Sequence, residues 1–142
     1  MIMAFLFKEF NADINDLNGV ISFAESVMND ADIPLKDQVK INIALEELFV
    51  NIASYAYPES SNGSATIGIE CSEGTVRVCL MDSGIPFDPV SREDPDVDIP
   101  AEERKIGGLG IYIVKKSMDQ FEYRFENDQN ITVFAKEIGK LL

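Results

Sequence analysis

Glu47 and Asn51 stand four residues apart in the stretch Ala44-Leu-Glu-Glu-Leu-Phe-Val-Asn51. On a helix that spacing puts both side chains on one face, and Tyr55 extends the face by one more turn. A carboxylate there can accept a proton or align a nucleophile. An amide oxygen beside it suits Mg²⁺, a hard ion that prefers oxygen ligands. Glu46 is the rival acid, but its side chain points about 100° round the helix, so only one of the two glutamates shares Asn51's face. The pair reads equally as a solvated polar stripe, because both residue types are common on exposed helix faces.

Two further clusters carry chemistry. In Asp82-Ser-Gly-Ile-Pro-Phe-Asp-Pro89 a carboxylate closes a strand and a glycine follows two residues later. Asp82 can accept a hydrogen bond from an exocyclic amine such as adenine offers, and Gly84 lets the backbone pass a ring without a Cβ. The same residues also make an ordinary turn. In Gly107-Gly-Leu-Gly110 glycines open a helix, where bare N–H groups and the positive dipole end favour phosphate. The Lys-Ser/Thr ending of a Walker loop is missing. No strand leads directly into the cluster, so it is not the dinucleotide fingerprint either. Arg104 and Lys105 just before it can add positive charge against a terminal phosphate, or be exposed loop charges.

The elements that must position these residues follow from periodicity. Residues 3–10 read as a strand. Ile14, Leu17, Ile21, Ala24 and Met28 recur at steps of three and four, which predicts an amphipathic helix with Asp13 as its N-cap. Residues 35–56 predict a longer helix with Ile41, Leu45, Leu48 and Ile52 along its buried stripe. Residues 65–71 and 75–81 alternate around Glu73-Gly74 as a hairpin. Residues 83–106 lose periodicity and hold Pro86, Pro89, Pro95 and Pro100. A loop of that length in a compact domain is usually functional, for example a lid. A helix over 107–120 and a closing hairpin around Asp128-Gln129 complete the order β-α-α-β-β-loop-α-β-β. That order predicts an α+β fold: a two-layer α/β sandwich with helices on one face of a mostly antiparallel mixed sheet.

Composition narrows the function. The 142 residues suit one domain, 1–142, and no repeat is visible. Twelve basic against 25 acidic residues give a net charge of −13, which disfavours nucleic acid and anionic membranes as partners. A basic protein partner would be steered in, although an acidic surface also simply maintains solubility. No apolar run reaches the roughly 18 residues of a membrane span. The apolar start lacks the basic flank of a signal peptide, so a cytoplasmic location is expected. The chain has no histidine, which excludes imidazole metal sites and Ser-His or Cys-His nucleophiles. Cys71 and Cys79 read as reduced core cysteines, with cross-strand neighbours as the alternative.

Taken in order, the three clusters resemble the GHKL superfamily of ATP-binding domains, and nearly the whole chain takes part. The similarity is greatest to the small bacterial anti-sigma-factor serine/threonine kinases. It is carried by Ala44-Leu-Glu-Glu-Leu-Phe-Val-Asn51, Asp82-Ser-Gly-Ile-Pro-Phe-Asp-Pro89 and Gly107-Gly-Leu-Gly-Ile-Tyr-Ile-Val-Lys-Lys-Ser-Met-Asp119. The resemblance implies a Bergerat-type fold and the cofactors ATP and Mg²⁺. It assigns Asn51 to the metal, Glu47 to the γ-phosphate and the incoming hydroxyl, Asp82 to the adenine amine, and Gly84 and Thr132 to the base. Gly108 and Gly110 would cradle phosphates, residues 88–106 would form a lid, and Arg104 would meet the γ-phosphate. It implies a protein kinase in transcription regulation that holds a sigma factor and phosphorylates the antagonist. It also allows a homodimer through the first strand and helix. The alternative is a non-catalytic, ATP-gated binding module of the same fold. Tyr55 departs from the family pattern, standing where many relatives have histidine. The acidic lid, with Asp88, Glu93, Asp94, Asp96, Asp98, Glu102 and Glu103, must face water or a partner, because beside ATP it would repel phosphate.

Overall fold

The computed structural model describes residues 5–59, 61–91 and 108–139. Strand β1 (Leu6–Asn11) leads through a 3-10 turn (Ile14–Asp16) into helices α1 (Leu17–Asp30) and α2 (Leu35–Asn51). A π-helical turn (Ile52–Ala56) prolongs α2, and the hairpin β2 (Ser64–Ser72) and β3 (Thr75–Asp82) follows. Helix α3 (Gly108–Ser117) and the hairpin β4 (Gln120–Glu126) and β5 (Gln129–Glu137) complete the chain. The five strands form one sheet in the order β1-β2-β3-β5-β4, and every described pairing is antiparallel.

Alternate residues of a strand face opposite sides of a sheet. Ala65, Ile67 and Ile69 of β2, Val76, Val78 and Leu80 of β3, and Phe134 of β5 share one parity and one buried cluster. The same cluster holds Val20, Ala24 and Met28 of α1, Ile41, Ala44, Leu45, Leu48 and Phe49 of α2, and Val114 and Met118 at α3. All three helices therefore cover one face of the sheet, and the expected two-layer sandwich is what the chain forms. Among the described residues no helix is long and apolar enough to cross a membrane.

Four local details differ from the periodicity. Asp13 caps the 3-10 turn, accepting the Asn15 N–H at 2.8 Å, rather than α1 itself. The tighter winding of that turn rotates Ile14 off the buried stripe, leaving it 55% exposed, and Val20 takes the place at its centre. The second helix is not α-helical to residue 56, because it changes to π winding after Asn51. The last hairpin turns at Asn127-Asp128, one residue earlier than expected, with φ of 53° and 61°. Asn and Asp take positive φ far more readily than Gln, so the two-residue turn settles on them. The cysteines are not cross-strand neighbours: Cys71 lies opposite Val76 and Cys79 opposite Gly68, on opposite faces of the sheet. Both are free thiols, and burial pushes each of them up in pKa.

Candidate nucleotide-binding site

The antiparallel register brings the end of β3 beside the start of β5, with Asp82 opposite Asn130 and Leu80 opposite Thr132. Their parity turns them toward the helices, so the core face of the sheet becomes polar at this end. A cavity of about 340 Å³ opens there, within the usual range for small-molecule sites. Its polar groups come from Asn51, Tyr55, Asp82, Asn130 and Thr132. Leu48, Ile52, Ala56, Leu80, Ile85, Phe87 and Ile111 make the rest of its wall apolar. That combination suits a flat heteroaromatic ring that must be held by one edge.

Asp82 is 6% exposed. Burial pushes its carboxyl above the ordinary range, and hydrogen bonds from Asn130 and Gly84 offset part of that rise. The Gly84 N–H and an Asn130 N–H both donate to Oδ1, at 2.9 and 3.0 Å. Asn130 is 4% exposed and also stitches down the loop after β3. Its Nδ2 donates to the Ile85 carbonyl at 2.9 Å, and its Oδ1 accepts from the Phe87 N–H at 3.1 Å and from the Tyr123 hydroxyl.

The π turn forms the opposite wall. Its last carbonyl, on Ala56, accepts the Ile85 N–H at 2.9 Å. A Cβ on Gly84 would lie 2.6 Å from the Ala56 Cβ and closer still to that carbonyl oxygen. The approach that Gly84 permits in this structure is therefore loop against helix end. Tyr57 ties the same corner, donating to the Ser64 carbonyl at 2.6 Å and accepting from the Ser83 N–H at 2.8 Å. π winding recurs at functional sites because it re-aims side chains that an α-helix would hold elsewhere.

Glu47 is not part of the cavity lining. Its carboxylate lies against the first turn of α3, where a Cβ on Gly110 would overlap it, 2.9 Å from Cδ. Burial first, and the charge of Glu46 second, raise the pKa of Glu47. A carboxylate raised in this way is a stronger base when ionised, which suits proton acceptance. Glu46 itself is exposed and borders a separate groove between α1 and α2. The two glutamates thus diverge as the helix geometry requires.

The sequence-derived set therefore comes together in part. Asn51, Asp82 and Thr132 share the cavity, and Gly84 adjoins it through its bond to Asp82. Glu47 and Gly110 meet at the α2–α3 contact, and Gly108 opens α3. Residues 92–106 of the expected lid, Arg104 among them, lie outside the described residues, as does Gly107.

A model of the histidine kinase-like ATPase domain family matches residues 10–136. The chain belongs to that family. Relatives of this ATPase domain include proteins called serine-protein kinase RsbW. One from Listeria monocytogenes is 27% identical over 104 residues, covering 70% of this chain and 66% of the relative. Another from Bacillus cereus is 29% identical over 111 residues, covering 75% and 68%. The match thus spans just under two thirds of the Listeria protein. The solved structure of the RsbU and RsbW domains of a Mycobacterium tuberculosis protein superposes with a TM-score of 0.65 at 14% identity. It covers 96% of this chain and 33% of that one, and shows the shared fold.

ATP use is what the histidine kinase-like ATPase family implies. The cavity fits its divalent ion as well. Among the described residues no cluster of three or more His, Cys, Asp or Glu could hold a metal by itself. Mg²⁺ beside phosphates needs no such cage, because it keeps several waters and takes one or two protein oxygens. The Asn51 amide lines the cavity and has no hydrogen-bond partner among the described residues, so its oxygen is available. Asn130, in the cavity wall, and Tyr57, which ties its corner, are the structural contributors that the motifs missed. A signal for Asn130 existed, since it shares parity with Thr132 and Phe134, and an amide on a core face must be hydrogen-bonded. Tyr57 carried none, because its two partners lie across a loop.

Proposed function

We propose that this domain binds Mg-ATP and transfers the γ-phosphoryl group to a serine or threonine of a small partner protein. By analogy with the RsbW relatives, the partner would be an antagonist in a cytoplasmic switch that releases or retains a sigma factor. The observation that carries the reading is the cavity itself. One amide oxygen, one buried carboxylate and one hydroxyl converge on an apolar slot, and the Glu47 carboxylate lies beside it against the first turn of α3. Asp82 would accept the adenine amine with Thr132 beside it, and Asn51 would ligate the ion. When bound, Mg²⁺ would neutralise phosphate charge and hold the phosphate tail in line.

The chemistry asked of the chain is mostly positioning, as in phosphoryl transfer generally. The acceptor hydroxyl forms the new P–O bond, its proton passes to the Glu47 carboxylate, and ADP departs with the electrons of the broken P–O bond. The N–H groups at the start of α3 would meet phosphate oxygens.

The test uses labelled ATP with candidate partners captured in ATP and in ADP. Glu47→Gln should nearly abolish labelling and leave Mg-ATP affinity within about threefold, since the group acts on the transition state. Asn51→Ala should lose both. Glu46→Gln should be milder, because its side chain borders the other groove. Wild-type labelling by Glu47→Gln would remove Glu47 from the chemistry. If wild type labels no partner, the domain is an ATP-gated binding module.

A further inference from the structure

Asn130 has more to do than fill a core position. Its Oδ1 accepts the Phe87 N–H, and a backbone N–H can only donate. That contact fixes which end of the amide is oxygen, and the Tyr123 hydroxyl donates to the same atom. The amide cannot flip, so Nδ2 must face Asp82 and the Gly84 and Ile85 carbonyls, at 3.0, 3.4 and 2.9 Å. Its two N–H groups are spent on three protein acceptors, and none remains for a ligand. Whatever Asn130 does for a bound base, it does through Asp82.

At Asp82 both described hydrogen bonds go to Oδ1. Oδ2 is the acceptor left for the cavity that Asp82 lines. We propose that Asn130 is a positioning residue that fixes the Asp82 carboxylate and so makes the site select bases bearing an exocyclic amine. This deepens the proposed nucleotide site and rests on Asp82 being its base acceptor. A flipped or absent amide would leave Oδ1 short of a donor, and the carboxylate would turn to share its charge between Gly84 and the ligand. An amine on the base gains a charge-assisted bond at Oδ2. A carbonyl at the same place sets oxygen against oxygen and is rejected.

The test compares ATP with purine riboside triphosphate, the same nucleotide without the exocyclic amine. Wild type should prefer ATP by about tenfold or more, the value of one hydrogen bond to a charged acceptor. Asn130→Ala should cut that preference to within about twofold by weakening ATP, with analogue affinity nearly unchanged. Asn130→Leu keeps roughly the shape of the side chain, adds no charge beside Asp82, removes the donors, and should lose the preference too. A residue that merely holds the loop would weaken both nucleotides equally, and a preserved preference in either folded variant overturns the proposal. Should neither variant fold, the wild-type Asn130 side-chain amide resonances decide. They should move on binding ATP and stay put on binding the analogue, and equal movement refutes the coupling. A wild type that binds both nucleotides equally refutes instead the reading of Asp82 on which the proposal rests.

Discussion

Gly110→Ala isolates the position of Glu47 from its chemistry. A Cβ at residue 110 would stand 2.9 Å from Glu47 Cδ and nearer still to Oε2, where ordinary contact begins at 3.4 Å. The obstacle is the far end of a flexible side chain, so the carboxylate retreats while the helices hold. The retreat is on the order of 1 Å, and a misplacement of that size costs about a hundredfold in a step that depends on alignment. Stability should stay level or rise, because alanine in a helix is worth up to about 1 kcal/mol over glycine. Phosphoryl transfer to the captured partner should therefore fall about a hundredfold with a thermal midpoint that is unchanged or raised. The cycle with Glu47→Gln sharpens the test. If Gly110→Ala acts by displacing Glu47, adding it to Glu47→Gln should cost little more, since residues in contact are strongly non-additive. Full additivity, or wild-type transfer in Gly110→Ala, refutes the reasoning. A loss of ATP affinity equal to the loss of transfer would instead assign Gly110 to the phosphates.

Asp82→Asn should weaken ATP by about 1.5–3 kcal/mol, the loss of a charge-assisted bond, with calorimetry as the measure. The wild type should bind GTP more weakly than ATP in the same assay. The same variant has a stability signature. Asp82 has a folded-state pKa raised above its ordinary 3.8, chiefly by burial, so its proton favours the folded form. Wild-type stability measured against Asp82→Asn should be greatest below that ordinary value. It should fall as pH rises through the raised pKa and stay level above it. A difference that does not vary with pH across urea titrations refutes the burial cost. Tyr57→Phe removes the hydroxyl that joins Ser64 and Ser83, and should lower stability by about 1–2 kcal/mol in urea unfolding. No shift in the urea midpoint would mean that water replaces the hydroxyl.

The sequence by itself determined the layers and the polar inventory. Period-two alternation in β2 and β3 and steps of three and four in α1 and α2 belong to the local chain, so they are readable wherever one face is buried. The spacing of four between Glu47 and Asn51 is local too, and so is the divergence of Glu46. What the sequence could not decide depends on groups distant along the chain meeting in space. Asn130 reaches Asp82 across 48 positions, and only the register of β3 on β5 sets them opposite. Gly84 and Gly110 read as glycines kept bare for a ligand, yet the Cβ each lacks would strike Ala56 and Glu47, surfaces that only packing brings near. The π winding after Asn51 leaves no mark in hydrophobic spacing, because the corner bonded through Ala56 and Tyr57 holds it from outside the helix. Residue type and spacing supplied the candidate groups. Strand register and close packing decided which of them face the cavity and which atoms of each remain available.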